Sequence, residues 1–342
     1  MLREYLEKVL TRNDLTAQEM AGAMDAIMKG EAPEAQIAAF LAALRVKGET
    51  VDEITEAARV MRDKALPVKI TRRPVMDIVG TGGDRTGTFN ISTATAMVVA
   101  AAGVSVAKHG NGSVSSLCGS ADVLTTMGIP LFKDSVDVAE CIETTGFGFI
   151  FAPYFHKAMK NVVPVRKAIG LRTIFNILGP LTNPARPEYQ AIGVFLPSLV
   201  HPMAEVLRKL GTRKALLFYG HGGMDELSIS GPNNVSLLDD GEIEDFELHP
   251  SDAGLSCAEE GYARGGSAEV NHRILEDIFA GGKGPRRDVV VFNSAASLMV
   301  AGKTRSIKEG ARMAEEVIDS GRAAAKVREV IDFGAERMEG TA

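Results

Sequence analysis

The chain has 342 residues, 45% hydrophobic and 24% charged, which is ordinary for a globular protein and long for one core, so two domains are expected. A net charge of −6 gives no support for nucleic-acid binding, and the longest apolar stretch, Ala94–Val106, is too short and glycine-broken to span a bilayer. Cys118, Cys141 and Cys257 are scattered, and the N-terminal MLREYLEKVL carries charges throughout, so reduced thiols, no signal peptide and a cytoplasmic protein are expected.

The first ~70 residues read as helices. Thr16-Ala-Gln-Glu19 and Thr50-Val-Asp-Glu53 are capping boxes, with Thr as N-cap and Glu at N3. Ile37, Phe40, Leu41 and Leu44 fall at helical spacing, as do Ile54, Ala57, Ala58 and Met61. Nothing there is chemically reactive, which suits a packing or oligomer module over residues 1–72. From Val75 the pattern changes. Short β-prone runs (Met76–Val79, Val104–Lys108, Phe147–Phe151, Ala191–Val194, Lys214–Tyr219, Val289–Phe292) alternate with helical stretches. The fold class is therefore α/β: a small N-terminal helical domain plus a larger α/β domain, 73–342, with a mostly parallel central sheet. The basic, amphipathic run Asn161–Leu178 interrupts the alternation, and the segment 164–188 is expected to rejoin the N-terminal helices.

The densest signal is DIVGTGGDRTGTFNIST, Asp77–Thr93. A β-prone run ends in Gly80, Gly82, Gly83 and Gly87, and a polar cluster, Asn90, Ser92 and Thr93, then opens an Ala/Val-rich helix. Glycines let backbone amides approach an anion, and the helix start adds its positive dipole end. Asp84 inside the loop would repel bare phosphate, so a ligand with hydroxyls, or one escorted by a cation, fits better. The dinucleotide fingerprint fails because Arg85 stands where its last glycine belongs. Gly302-Lys303-Thr304 is no Walker A motif, since Ser297 occupies the first glycine position inside an apolar helical run.

Four further places could carry chemistry. Lys108-His109-Gly110-Asn111-Gly112 follows a β-run and suits a second loop facing the same crevice. Ser113–Asp122 is small and polar at a helix start; a capped helix explains it equally well. Arg166 and Arg172, taken alone, read as solvated helix charges. Asp225-Glu226, after Gly222-Gly223 at a strand end, suits Mg²⁺, which needs only one or two carboxylates. His201, His249 and His272 read as surface residues, while His156 and His221 adjoin candidate segments. No histidine has zinc-site spacing and no serine sits in a G-x-S-x-G elbow. A phosphate loop, a lysine, an acid for ribose hydroxyls and a carboxylate pair together suit a phosphorylated sugar pyrophosphate, with an arginine for an anionic second substrate.

GTGGD (Gly80–Asp84), N-x-S-T (Asn90–Thr93), KHGN (Lys108–Asn111), GSADVL (Gly119–Leu124), the run Arg166–Pro184 containing RTIFNILGPLTNP, and Asp225-Glu226 closely resemble the anthranilate phosphoribosyltransferase family, in order and over essentially the whole chain. The resemblance implies a hinged helical domain, a homodimer formed through it, two Mg²⁺ ions per site, a role in tryptophan biosynthesis and anthranilate synthase as a further partner. Carried across, it implies that phosphoribosyl pyrophosphate (PRPP) is bound by Gly80, Thr81, Gly82, Gly83, Asp84, Thr88, Asn90, Ser92, Thr93, Lys108 and Ser120. Anthranilate would be held by Gly80, His109, Asn111, His156 and Arg166, and the metals by Ser92, Asp225 and Glu226. No residue acts as a general base, because an arylamine is already neutral at pH 7; Lys108 and Arg166 support catalysis by position and charge. Three positions depart from the family pattern: Gly112 replaces its usual Arg, Lys157 its common Pro, and NSAASL (Asn293–Leu298) its usual N-A-A. The alternatives are a pyrimidine-nucleoside phosphorylase-like enzyme, a non-enzymatic nucleic-acid-binding relative, and a PRPP transferase for another aromatic acid.

Overall fold

In the computed structural model, which describes residues 2–113 and 117–339, four helices open the chain: α1 (Leu2–Leu10), α2 (Ala17–Lys29), α3 (Glu34–Lys47) and α4 (Val51–Lys64). Both capping boxes form. Thr16 and Thr50 accept the amides of Glu19 and Glu53, and each glutamate accepts its threonine's amide in return, so two otherwise orphaned donors are satisfied at each start. The buried Glu53 carboxylate also accepts Leu15 N at 2.9 Å and Lys47 Nζ at 2.9 Å, tying three helix ends to one charge.

The remaining elements, in order, are β1 (Val75–Gly80), α5 (Ile91–Ala101), β2 (Ser105–Gly110), α6 (Ser120–Thr126), α7 (Ser135–Thr145), β3 (Phe147–Phe151), α8 (Ala152–Phe155), α9 (Val163–Ile169), α10 (Phe175–Leu181), β4 (Tyr189–Gly193), α11 (Val200–Lys209), β5 (Lys214–Tyr219), β6 (Asn233–Asp239), β7 (Glu242–Leu248), α12 (Ala268–Phe279), α13 (Pro285–Val300), α14 (Ile307–Asp319) and α15 (Arg322–Glu339). The seven strands lie in the order β3-β2-β1-β4-β5-β6-β7; the first five are parallel, and β6 and β7 pair antiparallel. Both sheet faces are covered, which is why the parallel strands read as continuous apolar runs. Alternation along β5 shows it: Leu216 and Phe218 join the core under α5 and α13, whereas Ala215 and Leu217 join the core under α11. That second core continues into the N-terminal helices. Met20, Met24, Ile27, Phe40 and Leu44 share it with Val165 of α9 and Phe175, Leu178 and Leu181 of α10. Asn161 Nδ2 also donates to Met28 O at 2.9 Å.

One expectation needs correction, and one hairpin goes beyond the sequence reading. Val289–Phe292 is not a strand but lies within α13, whose residues 289 to 298 are all buried. A helix buried on every side is apolar all round, so a four-residue window of it mimics a strand. The β6–β7 hairpin was not anticipated, although Asp240-Gly241 (φ 44° and 99°) is a strong hairpin-turn signal. The sheet order matters for function. The chain leaves β1 toward β2 on one side, and β4 lies on the other, so a crevice opens at the carboxyl ends of β1 and β4.

Candidate active site

The glycine loop leaves β1 at this switch point. Gly82, Gly83 and Gly87 have φ of +70°, +74° and +68°, and Arg85 shares the left-handed region at 65°. Thr81 N donates to Gly193 O at 2.9 Å, pinning the loop to β4. A Cβ on Gly82 would meet nothing within 4 Å, so the backbone is bare there. Asp84 turns inward: its carboxylate accepts Thr86 N, Thr86 Oγ1 and, at 3.4 Å, Asp225 N.

Asp225 and Glu226 follow β5 and are both buried. Asp225 Oδ2 accepts Gly82 N at 2.5 Å, and Glu226 Oε1 accepts Ser92 N at 3.0 Å at the start of α5. The two amides best placed for an external anion are thus capped by the chain's own acids. The acids sit tightly because their neighbours lack side chains: a Cβ on Gly193 would overlap the Asp225 carbonyl, and one on Gly220 the Glu226 carbonyl. Asn293 holds the loop from behind, accepting Leu227 N at 3.0 Å and donating to Leu227 O at 2.8 Å. Burial, with Asp84 and Glu226 as neighbours, raises the Asp225 pKa well above the carboxylate range. Burial raises Glu226 to about 7, against the opposing pull of Lys108. Among the described residues no three His, Cys, Asp or Glu side chains close around one point. Two adjacent carboxylates short of positive charge nonetheless suit Mg²⁺, whose other ligands are water and phosphate oxygens.

Lys108 and His109 end β2 beneath the crevice. Lys108 is 1% exposed; its Nζ donates to Ile78 O at 2.5 Å and to Ser92 Oγ at 3.3 Å, so it reaches the site through Ser92. Burial lowers its pKa while Asp77, Glu226 and Asp225 oppose that. Asp77, wholly buried and pushed up to about 6 by burial, accepts His109 N at 3.1 Å and Asn183 Nδ2 at 2.8 Å. Asn183 also donates to Ala107 O at 2.8 Å. Asn90 shares a second polar net: its Oδ1 accepts Asn271 Nδ2 at 2.9 Å and Cys118 Sγ at 3.4 Å. Thr93 is buried with its hydroxyl unpartnered, Thr88 bridges to Arg264, and Ser120 Oγ donates to Asn111 O at 3.1 Å. Asn111 is exposed, its Oδ1 accepting Gly112 N at 2.8 Å. The Ser113–Asp122 run ends in a clamp, with Asp122 Oδ2 accepting Ser113 N at 2.9 Å and Gly119 N at 2.7 Å; Val114–Ser116 lie outside the described residues.

The rings of His109 and His156 stand 5.1 Å apart. His109 Nδ1 donates to Gly179 O at 3.2 Å; its Nε2 and both nitrogens of His156 are buried and make no hydrogen bond of normal geometry among the described residues. Burial lowers His109 to about 3 and His156 to about 4, so both are neutral at pH 7. Arg166 on α9 is half-buried, 5.8 Å from the Phe175 ring centroid, and makes no ion pair among the described residues. Arg172 is not on a helix: it lies between α9 and α10 and donates to Gly83 O. The sequence reading singled out Arg172 beside Arg166 but not its contact with the glycine loop, and it missed Asp77, Asn183, Asn271 and Asn293, which act through contacts remote in sequence. His201 and His249 are exposed and His272 half-buried, each beside an acid. His221, half-buried, packs its ring against Gly231, with Nε2 4.0 Å from Glu260 Oε1.

Residues 3–65 match the glycosyl transferase family's helical bundle domain and residues 72–324 its a/b domain. The chain is 50% identical to the anthranilate phosphoribosyltransferase of Petrotoga mobilis over 333 residues, 97% of each chain. Among solved structures, the anthranilate phosphoribosyltransferase of Thermus thermophilus matches with a TM-score of 0.91 and 43% identity, covering 96% of this chain and 98% of that one. The Saccharomyces cerevisiae enzyme in complex with PRPP and Mg matches with a TM-score of 0.90 and 29% identity, covering 98% of each.

Proposed function

The chain belongs to the anthranilate phosphoribosyltransferase family, and we propose that it transfers the phosphoribosyl group of PRPP to the amine of anthranilate, releasing pyrophosphate. One observation carries the reading: a glycine-loop amide and a helix-start amide, Gly82 N and Ser92 N, converge on the adjacent buried acids Asp225 and Glu226. That pairing suits a ligand bringing phosphate oxygens to the amides and a divalent cation to the acids.

Asp225, Glu226 and Ser92 would hold Mg²⁺, two ions being the family expectation. The metal's contribution is to neutralise the departing pyrophosphate. Gly80 to Asp84, Thr88, Asn90, Ser92, Thr93 and Ser120 would line the PRPP side. Lys108 supports Ser92 from below and offsets the acids' charge. Asn111, His109, His156 and Arg166 would line the anthranilate side, with the unpaired Arg166 guanidinium matched to the carboxylate. The amine lone pair forms the N–C1 bond as the bond from C1 to pyrophosphate breaks, and the proton lost from the amine passes to the released pyrophosphate or to water. Two neutral histidines make a polar but uncharged wall that leaves a neutral arylamine undisturbed.

A homodimer through the helical region is part of this reading. Val9, Leu10, Ala39, Ala43 and Val46 line an apolar groove of about 390 Å³ between α1 and α3, with Leu10 63% and Val46 74% exposed. The shared core of α9 and α10 with α2 and α3 supports the domain division 1–72 plus 164–188. No described helix is long and apolar enough to cross a membrane, and a cytoplasmic site of action fits the scattered placement of Cys118, Cys141 and Cys257 in the sequence. The deciding assay is PRPP- and Mg²⁺-dependent loss of anthranilate fluorescence. Phosphorolysis of thymidine or uridine without that loss would favour the phosphorylase reading instead.

A further inference from the structure

Arg172 is engaged on three sides. Its guanidinium lies 4.1 Å from the ring centroid of Phe195, just beyond the end of β4. The same guanidinium donates to Gly83 O in the phosphate loop, and a Cβ on Gly83 would be 3.9 Å from its Nε. Its own carbonyl accepts Arg45 Nη1 from α3 at 2.8 Å. Thr173 N, next in the chain, donates to Asn176 Oδ1 at 2.9 Å, fixing the entry to α10. No other described side chain joins the glycine loop to the helical region in this way.

The chemistry favours arginine here. A planar guanidinium can lie on an aromatic face and donate in its own plane at once, which an ammonium cannot. Gly83 has a positive φ that only glycine adopts readily, so without an outside partner its carbonyl would be free to swing. We propose that Arg172 is a positioning residue for PRPP: by holding Gly83 it presets the phosphate loop, and through Arg45 it ties that loop to the helical region. Because Arg172 follows Arg166 by six residues, one segment then bears on both substrates. The proposal rests on the PRPP reading above.

Two measurements on the full-length protein separate the outcomes. The first is hydrogen exchange of the ligand-free protein, which needs no substrate. Arg172→Gln should speed exchange of the 82–87 amides about tenfold while α5 and α13 keep their protection, the mark of a local opening. The second is steady-state kinetics. KM for PRPP should rise about tenfold, the lower end for one charge-assisted hydrogen bond, with kcat and the anthranilate KM little changed. Arg172→Lys should restore less than half of the loss, since it keeps charge but not the stacked fork. If Arg172→Gln does not fold, Phe195→Leu removes the stacking face alone and should move both readouts the same way. Unchanged loop exchange, or equal rises in both KM values, overturns the proposal. A wild-type enzyme inactive on PRPP overturns the functional reading instead, and the exchange experiment still decides the role of Arg172.

Discussion

Arg166 and His156 are half-buried and buried polar groups that make no ion pair among the described residues, and each makes a prediction. Arg166 has Phe175 beside it and no anion, so part of its desolvation is already spent before a ligand arrives. A carboxylate docking there gains about 1.5–3 kcal/mol, the range for hydrogen bonds to a charged group. Arg166→Ala should therefore raise the anthranilate KM about tenfold to a hundredfold and leave the PRPP KM unchanged. Parallel rises in both constants would assign Arg166 to the fold. His156 is predicted through pH. The unfolded chain binds its proton near 6.5, the folded one only near 4. Its contribution to stability is complete above the first value and is lost as pH falls toward the second, by up to about 1.4 kcal/mol per unit. Asp77 and Glu226 are shifted the opposite way, so the wild-type curve alone mixes the signs. Urea denaturation of His156→Gln beside wild type isolates the group. Between about pH 7.5 and 5, wild type should lose about 2 kcal/mol relative to the variant. A gap that does not vary with pH would mean the histidine is already charged or solvated in the native state.

Elements were legible in the sequence where a local rule decides them. The capping boxes at Thr16 and Thr50 and the glycine loop after β1 are set by spacing and backbone chemistry within a few residues, and both stand where expected. The buried strands were found because both faces are covered. The same covering hid α13, since a central helix has no polar face to mark its period. The site divides the same way. Gly82, Ser92, Asp225 and Glu226 carry local signals and come together. Asn271, Asn293 and Asp77 look like unremarkable polar residues until the sheet order brings them under the loops. Gly193 belongs with them: it is an ordinary strand glycine in sequence, yet the Asp225 carbonyl occupies its side-chain space. Gly193→Ala should push the acid pair out of place, costing about 1–3 kcal/mol of stability, as overpacking does. The concentration of Mg²⁺ giving half-maximal activity should rise with it. A variant with wild-type Tm and Mg²⁺ dependence would show that the carbonyl yields freely.

At the scale of the molecule, the site and the expected dimer share α3. The apolar groove between α1 and α3 ends at Val46, whose neighbour Arg45 donates to the backbone of Arg172 beside the phosphate loop. Exposed Leu10 and Val46 are unusual for a helix otherwise packed into a core, and an isologous pairing of two copies would bury both at once. The chain should therefore run in light scattering at twice its mass of 36.4 kDa at micromolar concentration. Val46→Glu places a charge in the groove without touching the core, so it should shift the mass to that of one chain while the circular dichroism spectrum stays native. A wild-type monomer would remove the dimer from the reading, and a Val46→Glu dimer would move the interface to another face. Because Arg45 sits one residue away, the monomeric variant also tests whether assembly reaches the site. Faster exchange in residues 82–87 of Val46→Glu would mean that the partner's seat on α3 steadies the phosphate loop through Arg45 and Arg172. Unchanged exchange there would mean that the dimer stabilises the helical region alone.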